Sequence, residues 1–342
     1  MDNNFGIKTN ITKDKPRDYQ FDNMRAILII LVVFGHVLTS MMYKSNLIGS
    51  VYFFLFFFHM PAMTFISGFF SKNLERARNT AFESILMPYI ILNVCNYIFK
   101  MLIIQEPYFG FRFLRPLWGL WYLLALFLWK YFLKDLVRIR FLLPLSILLG
   151  VLSGFSKEFS DYLALGRVIG FLPFFLLGYY CTERHMYKIR RIPKIFSVTI
   201  LVVSIGISAY VVNNKLFKIE GLYLRRPFPQ DSEIKAMLCR ILVYMVAIAM
   251  TIAVINLTSG KKSFLTRIGA STMTVYILHL FTIPILEKFK ILNNQPYLYL
   301  VYAILMTAII VYIYSRPWVI KIYDTVMNKL IGLILRKKAE MI

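Results

Sequence analysis

Acidic residues are scarce in this chain. Seventeen Asp and Glu stand against forty Lys and Arg in 342 residues, leaving a formal charge of +23. None of these carboxylates lies at mid-depth in a long apolar segment, which argues against ion-coupled transport. Cysteine is sparse as well. Cys95, Cys181 and Cys239 are odd in number, widely spaced and set in or at the edge of apolar runs. They form neither a disulfide framework nor a metal motif, and read as packing residues. There is no phosphate-binding loop, dinucleotide glycine fingerprint, nucleophile elbow or zincin motif. No polar stretch is long enough for a basic soluble domain, so nucleic acid is not an expected partner. Residues 1–23 are polar and mixed in charge, without a short apolar core ending at a small-residue cleavage site. The first apolar segment is therefore expected to remain as a helix.

What the chain has is apolar surface. It is 58% hydrophobic and 16% aromatic, with a mean hydropathy of +0.63. These values predict an all-α, polytopic transmembrane bundle that uses the whole length. The apolar runs place ten helices at about 24–42, 48–70, 81–104, 113–132, 140–156, 162–181, 195–213, 237–257, 268–289 and 297–320. The fourth and fifth are separated only by a short charged break, Lys130 to Arg140. This divides the chain into an N-terminal segment (1–23), a transmembrane domain (24–320) and a basic tail (321–342). Ten crossings put both termini on one side. That side collects twenty-six of the forty Lys and Arg, against twelve on the other. By the positive-inside rule the termini are cytoplasmic.

The basic face has two readings. Most of its residues set topology and touch anionic headgroups of the lipid bilayer. A subset could instead bind a polyanionic donor from the cytosol, such as a CoA thioester. Arg76 and Arg78, just after the second helix, are best placed for that. The outer loop from Asn214 to Lys235 mixes charge with Tyr223 and Phe228. It is either solvated packing or a surface for a hydroxylated acceptor.

Three of the four histidines lie in the middle of apolar segments: His36, His59 and His279. Each is about ten residues from a segment end, or roughly 15 Å along a helix, half the hydrocarbon thickness. Ionisable groups at that depth face a protein-lined or watery interior and mark function by default. His185 falls in a loop. Arg25 and His36 are eleven residues apart, and eleven helical steps return to within about 20°, so they share a stripe with Asp22 close beside it. A carboxylate and a guanidinium thus sit at the mouth, with an imidazole, a candidate general base, about three turns deeper. The bland alternative is a snorkelling arginine and a hydrogen-bonded core histidine.

In the second helix Pro61 removes a backbone bond and Gly68 permits close contact, while Tyr52 and His59 share a face. In the ninth, Ser271, Thr272, Tyr276 and His279 line one broad face. They either orient the imidazole and bind a substrate or make interhelical hydrogen bonds worth about 0.6–2 kcal/mol each. Arg240 reads as a snorkelling residue. Arg167, between Gly166 and Gly170, is expected to point inward and serve acceptor binding. Trp118 and Trp121 are either an aromatic belt or a sugar platform. No metal site is expected.

The blocks Arg17-Asp18 to Asp22-Asn-Met-Arg25, Val33-Phe-Gly35-His36, Phe58-His59-Met60-Pro61 and Ser67-Gly68 run in a familiar order. They are followed by Leu117-Trp-Gly-Leu-Trp121-Tyr-Leu, Gly166-Arg167, Phe175-Leu-Leu-Gly178-Tyr, Ile268-Gly-Ala-Ser271 and Tyr276-Ile-Leu-His279. Together they resemble the integral-membrane acyltransferase 3 family, most closely its fucose 4-O-acetylase-like branch, over residues 17 to about 280. The resemblance implies about ten helices, an acyl-CoA donor, commonly acetyl-CoA, and O-acylation of a saccharide hydroxyl. It implies that His36 is catalytic and paired with Arg25. It also implies a donor-binding arginine pair, here Arg76 and Arg78, more closely spaced than the family pattern.

The expected activity is thus O-acetylation of a bacterial exopolysaccharide, capsule or lipid-linked glycan in the cytoplasmic membrane. His36 would be base or acyl carrier, with His59 and His279 orienting. Acetyl-CoA would be a cosubstrate and no cofactor tightly bound; a homo-oligomer is left open. The alternative is a transporter or flippase of a polar anionic substrate, with the histidines as a proton relay. A structural or sensory component is a third reading.

Overall fold

The computed structural model describes residues 18–105, 115–116, 118–155, 162–216, 219–225, 232–289, 292 and 294–335. The side chains of Trp118 and Glu220 lie outside that set. Within it every regular element is helical. They are α1 (Gln20–Leu38), α2 (Asn46–Phe69), α3 (Leu74–Ala81), α4 (Met87–Phe99), α5 (Trp121–Leu136), α6 (Leu142–Leu152) and α7 (Leu165–Tyr180). Then come α8 (Glu183–Arg191), α9 (Lys194–Asn213), α10 (Glu233–Leu257), α11 (Phe264–Ala270), α12 (Thr272–Lys288), α13 (Pro296–Tyr314) and α14 (Pro317–Ile334). An all-helical answer is what the composition demands, because a bilayer leaves backbone groups no partners but those of their own segment.

Among the described residues seven helices are long and apolar enough to cross a membrane, or eight if the bent pair α11–α12, broken by 74°, is one span. The protein is a polytopic helical membrane protein. All ten expected segments contain helix among their described residues, with residues 113, 114, 117 and 156 outside that set, but α5 and α6 are shorter than a full crossing. Lys130, Lys134 and Asp135 fall inside α5, and α6 has only 11 residues. The third span starts at Leu74 rather than near 81, because Asn73 caps it by accepting from the Arg76 amide at 3.0 Å. Two helices are additions. α8 opens with a capping box in which the Thr182 hydroxyl accepts from the His185 amide and His185 Nδ1 accepts from the Thr182 amide. The loop histidine is thus a cap. α14 occupies the region expected to be tail, with Val319 and Met327 turned inward.

The two ends of the bundle sort as alternating crossings require. At one end Asp18 pairs with Arg190, Gln20 donates to the Ile255 carbonyl at 2.7 Å, and Asn23 donates to the carbonyls of Ser259 and Lys261 at 2.8 Å each. The same end holds the Arg78–Asp135 and Lys134–Glu75 ion pairs at 3.3 and 2.5 Å. The other end joins Asn46 to Asn213 at 2.9 Å, and Ser40 to Tyr299 and Tyr52 to Tyr223 at 2.7 Å each. Arg240 corrects an expectation. It does not snorkel but is buried, donating to the Gly150 carbonyl at 3.2 Å and Ser153 Oγ at 3.1 Å. A guanidinium there neutralises the carbonyl end of α6.

Helices α2 and α7 cross at backbone contact. A Cβ on Gly68 would lie 1.9 Å from the Phe175 carbonyl oxygen, and one on Gly178 1.9 Å from that of Phe65. Small residues at such crossings let backbones approach as closely as bilayer packing rewards. Gly269 of α11 meets the Asp22 carbonyl of α1 equally closely. Gly178→Ala should therefore lower the thermal unfolding midpoint of the detergent-purified protein, with a cost of about 1–3 kcal/mol. Gly206→Ala, where a Cβ has nothing within 4 Å, should leave the midpoint unchanged. Equal midpoints for the two variants would refute the contact.

Candidate functional site

His36 on α1 and His279 on α12 meet edge to face, ring centroids 5.1 Å apart and planes at 88°. His59 on α2 packs against the Phe56 ring at 4.5 Å, and with Arg167 of α7 it is among the ionisable neighbours of His36. Four helices thus contribute one polar residue each to one interior point.

Two of the three imidazoles have a defined tautomer. His279 Nδ1 is 3.0 Å from the Val275 carbonyl and His59 Nδ1 is 2.7 Å from that of Leu55. A carbonyl oxygen only accepts, so each Nδ1 carries the proton and a neutral ring presents its Nε2 lone pair. His279 Nε2 is buried, with no hydrogen-bond partner among the described residues. His59 and His279 are 1% and 0% exposed, whereas His36 keeps accessible surface.

A cavity of about 260 Å³ leads toward this point from the end where α1 begins, the side to which the sequence assigns the termini. Arg25, Ile29 and Val32 form its α1 wall, one turn short of His36. Thr272, Met273 and Tyr276 form its α12 wall, one turn short of His279. The Arg25 end of the expected Arg25–His36 stripe is therefore a cavity wall, and that wall stops before His36. Arg25 is 3.4 Å from Asp22 and lies over the Phe70 ring at 4.6 Å. Lys130 of α5 lines the cavity with Arg25 and is close to Arg76, so three cations gather at the mouth. Arg78 does not join them: it pairs with Asp135 and stacks on Tyr131 at 4.9 Å. Deeper in the cavity, the Tyr122 hydroxyl shares a 2.8 Å hydrogen bond with Ser67 and donates to the Met63 carbonyl at 3.2 Å. The Tyr276 hydroxyl donates to the Gly119 carbonyl.

On the far side of the histidines Arg167 turns inward, over Trp121 at 4.8 Å and Tyr223 at 5.9 Å. Trp121 is buried against Phe171 rather than displayed as a lipid-facing belt. The Trp118 side chain lies outside the described residues. Ser271 is spent elsewhere: its hydroxyl donates to the Ile268 carbonyl at the α11–α12 break. Among the described residues no three His, Cys, Asp or Glu come together as a metal-binding group, and the three cysteines are free thiols.

Sequence reasoning missed Lys130, Tyr122 and Ser67 as cavity residues. Lys130 interrupts an apolar run, so it reads as a topological break until α5 is placed beside α1.

No curated protein and no solved structure matches the chain. The family defined by an acyltransferase domain matches residues 18–315, which takes in α1 to α13 and every residue of the histidine cluster. This sets aside transport in favour of an enzyme, and the chain belongs to the acyltransferase 3 family of membrane proteins.

Proposed function

We propose that this protein transfers an acetyl group from acetyl-CoA to a hydroxyl of a cell-surface or lipid-linked saccharide. It would act in the bacterial cytoplasmic membrane with its termini cytoplasmic, in the manner of the fucose 4-O-acetylase-like branch. The reading rests on one observation: the His36–His279 pair lies one helical turn beyond the walls of a cavity lined by Arg25 and Lys130, with Arg76 close to Lys130. Guanidinium and ammonium groups suit the phosphates of CoA. The apolar wall of Ile29, Val32, Met60 and Met63 suits its thioester arm. Eleven residues of α1 separate mouth and imidazole, about 16 Å, the span that arm must bridge.

Acyl transfer needs a base and stabilisation of an oxyanion. His36 accepts the proton as the acceptor oxygen attacks the thioester carbonyl. The C–O bond forms, the C–S bond breaks and the thiolate leaves to be protonated from the imidazolium. His279 and His59 hold the ring in place. Arg167 with Trp121 faces the acceptor from the other side, where an aromatic face and a guanidinium suit a sugar ring and its hydroxyls. The alternative role for His36, transient acyl carrier, uses the same geometry.

Membranes carrying the wild-type protein should acetylate a glycan acceptor from acetyl-CoA, and His36→Ala at matched expression should lower that rate about a hundredfold or more. Acetylation surviving in the variant would remove His36 from the chemistry, and none in either membrane with acceptor present would remove the activity. A second measurement concerns the mouth. Arg25→Gln and Lys130→Gln should each raise the KM for acetyl-CoA by about tenfold, as loss of one charge-assisted contact predicts, with a smaller effect on kcat. Lys188→Gln, on the same basic end but on α8, should leave it unchanged. A KM that responds to all three alike would mean general attraction by the basic face.

A further inference from the structure

A second cavity is a crevice of about 550 Å³ between α1, α11 and α13. Its walls are apolar: Ile30 and Phe34 of α1 face Ile304, Ala308 and Val311 of α13. Arg267 and Arg316 close its termini-side end, and no Asp or Glu lines it. Among the described residues neither arginine pairs with a carboxylate. Arg316 is set in place over the Tyr312 ring at 3.6 Å. Phe264, Ile304 and Tyr312 are 77%, 54% and 61% exposed, so the crevice opens outward, away from the bundle. From Tyr314, the last residue of α13, to Ile304 is ten residues, about 15 Å of helix, close to the depth of one leaflet of hydrocarbon.

We propose that this crevice binds one anionic phospholipid of the cytoplasmic leaflet, with its phosphate between Arg267 and Arg316 and an acyl chain along the α1–α13 walls. A cationic rim above an apolar trough one leaflet deep matches a phosphate above an acyl chain, and the want of any acidic lining residue selects against a zwitterionic headgroup less tightly held. The placement has a consequence for the enzyme. Residues 25, 29, 32 and 36 share one stripe of α1, and residues 30, 31 and 34 lie about half a turn away. The lipid therefore packs against the back of the helix whose front carries His36. The bent pair divides the same way, with Arg267 and Ile268 on the crevice and Thr272 and Tyr276 on the catalytic cavity. Binding does not depend on which reaction the protein performs.

The test is lipid retention by the purified full-length protein, read by native mass spectrometry after exposure to equal amounts of phosphatidylglycerol and phosphatidylcholine with matched chains. Wild type should retain phosphatidylglycerol about tenfold over phosphatidylcholine, as two headgroup-facing arginines supply. Arg267→Gln with Arg316→Gln should bring that preference within about twofold, while Lys261→Gln with Lys262→Gln, exposed on the neighbouring loop, should leave it intact. Ala308→Phe fills the trough from its lipid-facing wall without changing charge, and should lower retention of both lipids. Equal retention by wild type, or equal loss in the lysine and arginine variants, would overturn the site in favour of a diffuse positive field. Should the arginine variant fail to fold, unaltered retention by Ala308→Phe would overturn it alone.

Discussion

A bilayer gives an imidazole nothing to hydrogen-bond to, so each mid-depth histidine must find its partner inside the protein. Two of them find it in their own helix. His59 and His279 each donate from Nδ1 to the carbonyl four residues earlier. That local bond leaves the proton no choice of nitrogen and fixes the ring direction before any neighbour is considered. The remaining task of the fold is to bring α1, α2, α7 and α12 close enough for the free nitrogens and the guanidinium of Arg167 to share one point. The glycine contacts serve that task. Gly68 and Gly178 lock α2 to α7, and Gly269 locks α11 to α1 beside Asp22, each near a helix that carries a polar member of the cluster.

α1 carries more of the architecture than its length suggests. Its termini-side end is tied down by Gln20 and Asn23, which bond to the backbone between Ile255 and Lys261. Its front is the wall of one cavity and its back the wall of another. A helix held at one end and flanked by space on two faces is sensitive to what fills those spaces. The break between α11 and α12 is similar in kind. There Ser271 bonds back to Ile268, so a residue that looked like part of the reactive face instead completes the bend.

Much of this was legible because membrane depth is a linear measure along a helix. Ten residues from a segment end is mid-bilayer whatever the fold, so His36, His59 and His279 were marked before their helices were arranged. The Arg25–His36 stripe was legible for the same reason. Contacts between helices were not. Lys130 reads as a loop charge by position, and only the packing of α5 beside α1 and α2 places it at the cavity. Arg78 looked as available as Arg76 until Asp135 and Tyr131 were seen to hold it. Arg240 failed as a snorkelling residue because the accepting carbonyl belongs to α6, about ninety residues away in the chain. Trp121 carried two readings, and its burial against Phe171 decides against the belt.

The distribution of charge around the histidine pair is itself an argument about chemistry. At the termini-side end the cations cluster and the carboxylate beside them, Asp22, is engaged with Arg25. On the far side the Arg167 guanidinium is stacked over Trp121, with the Tyr223 ring beside it. A polyanion is welcome at the first and has no counterpart at the second, while a neutral ring with hydroxyls suits the second. The narrow polar point between them holds the paired imidazoles of His36 and His279. On the acyl-transfer reading this asymmetry confines the charged part of the donor to its own end. Only the uncharged acetyl group needs to pass the histidines, and an uncharged group is what a low-dielectric interior admits at least cost.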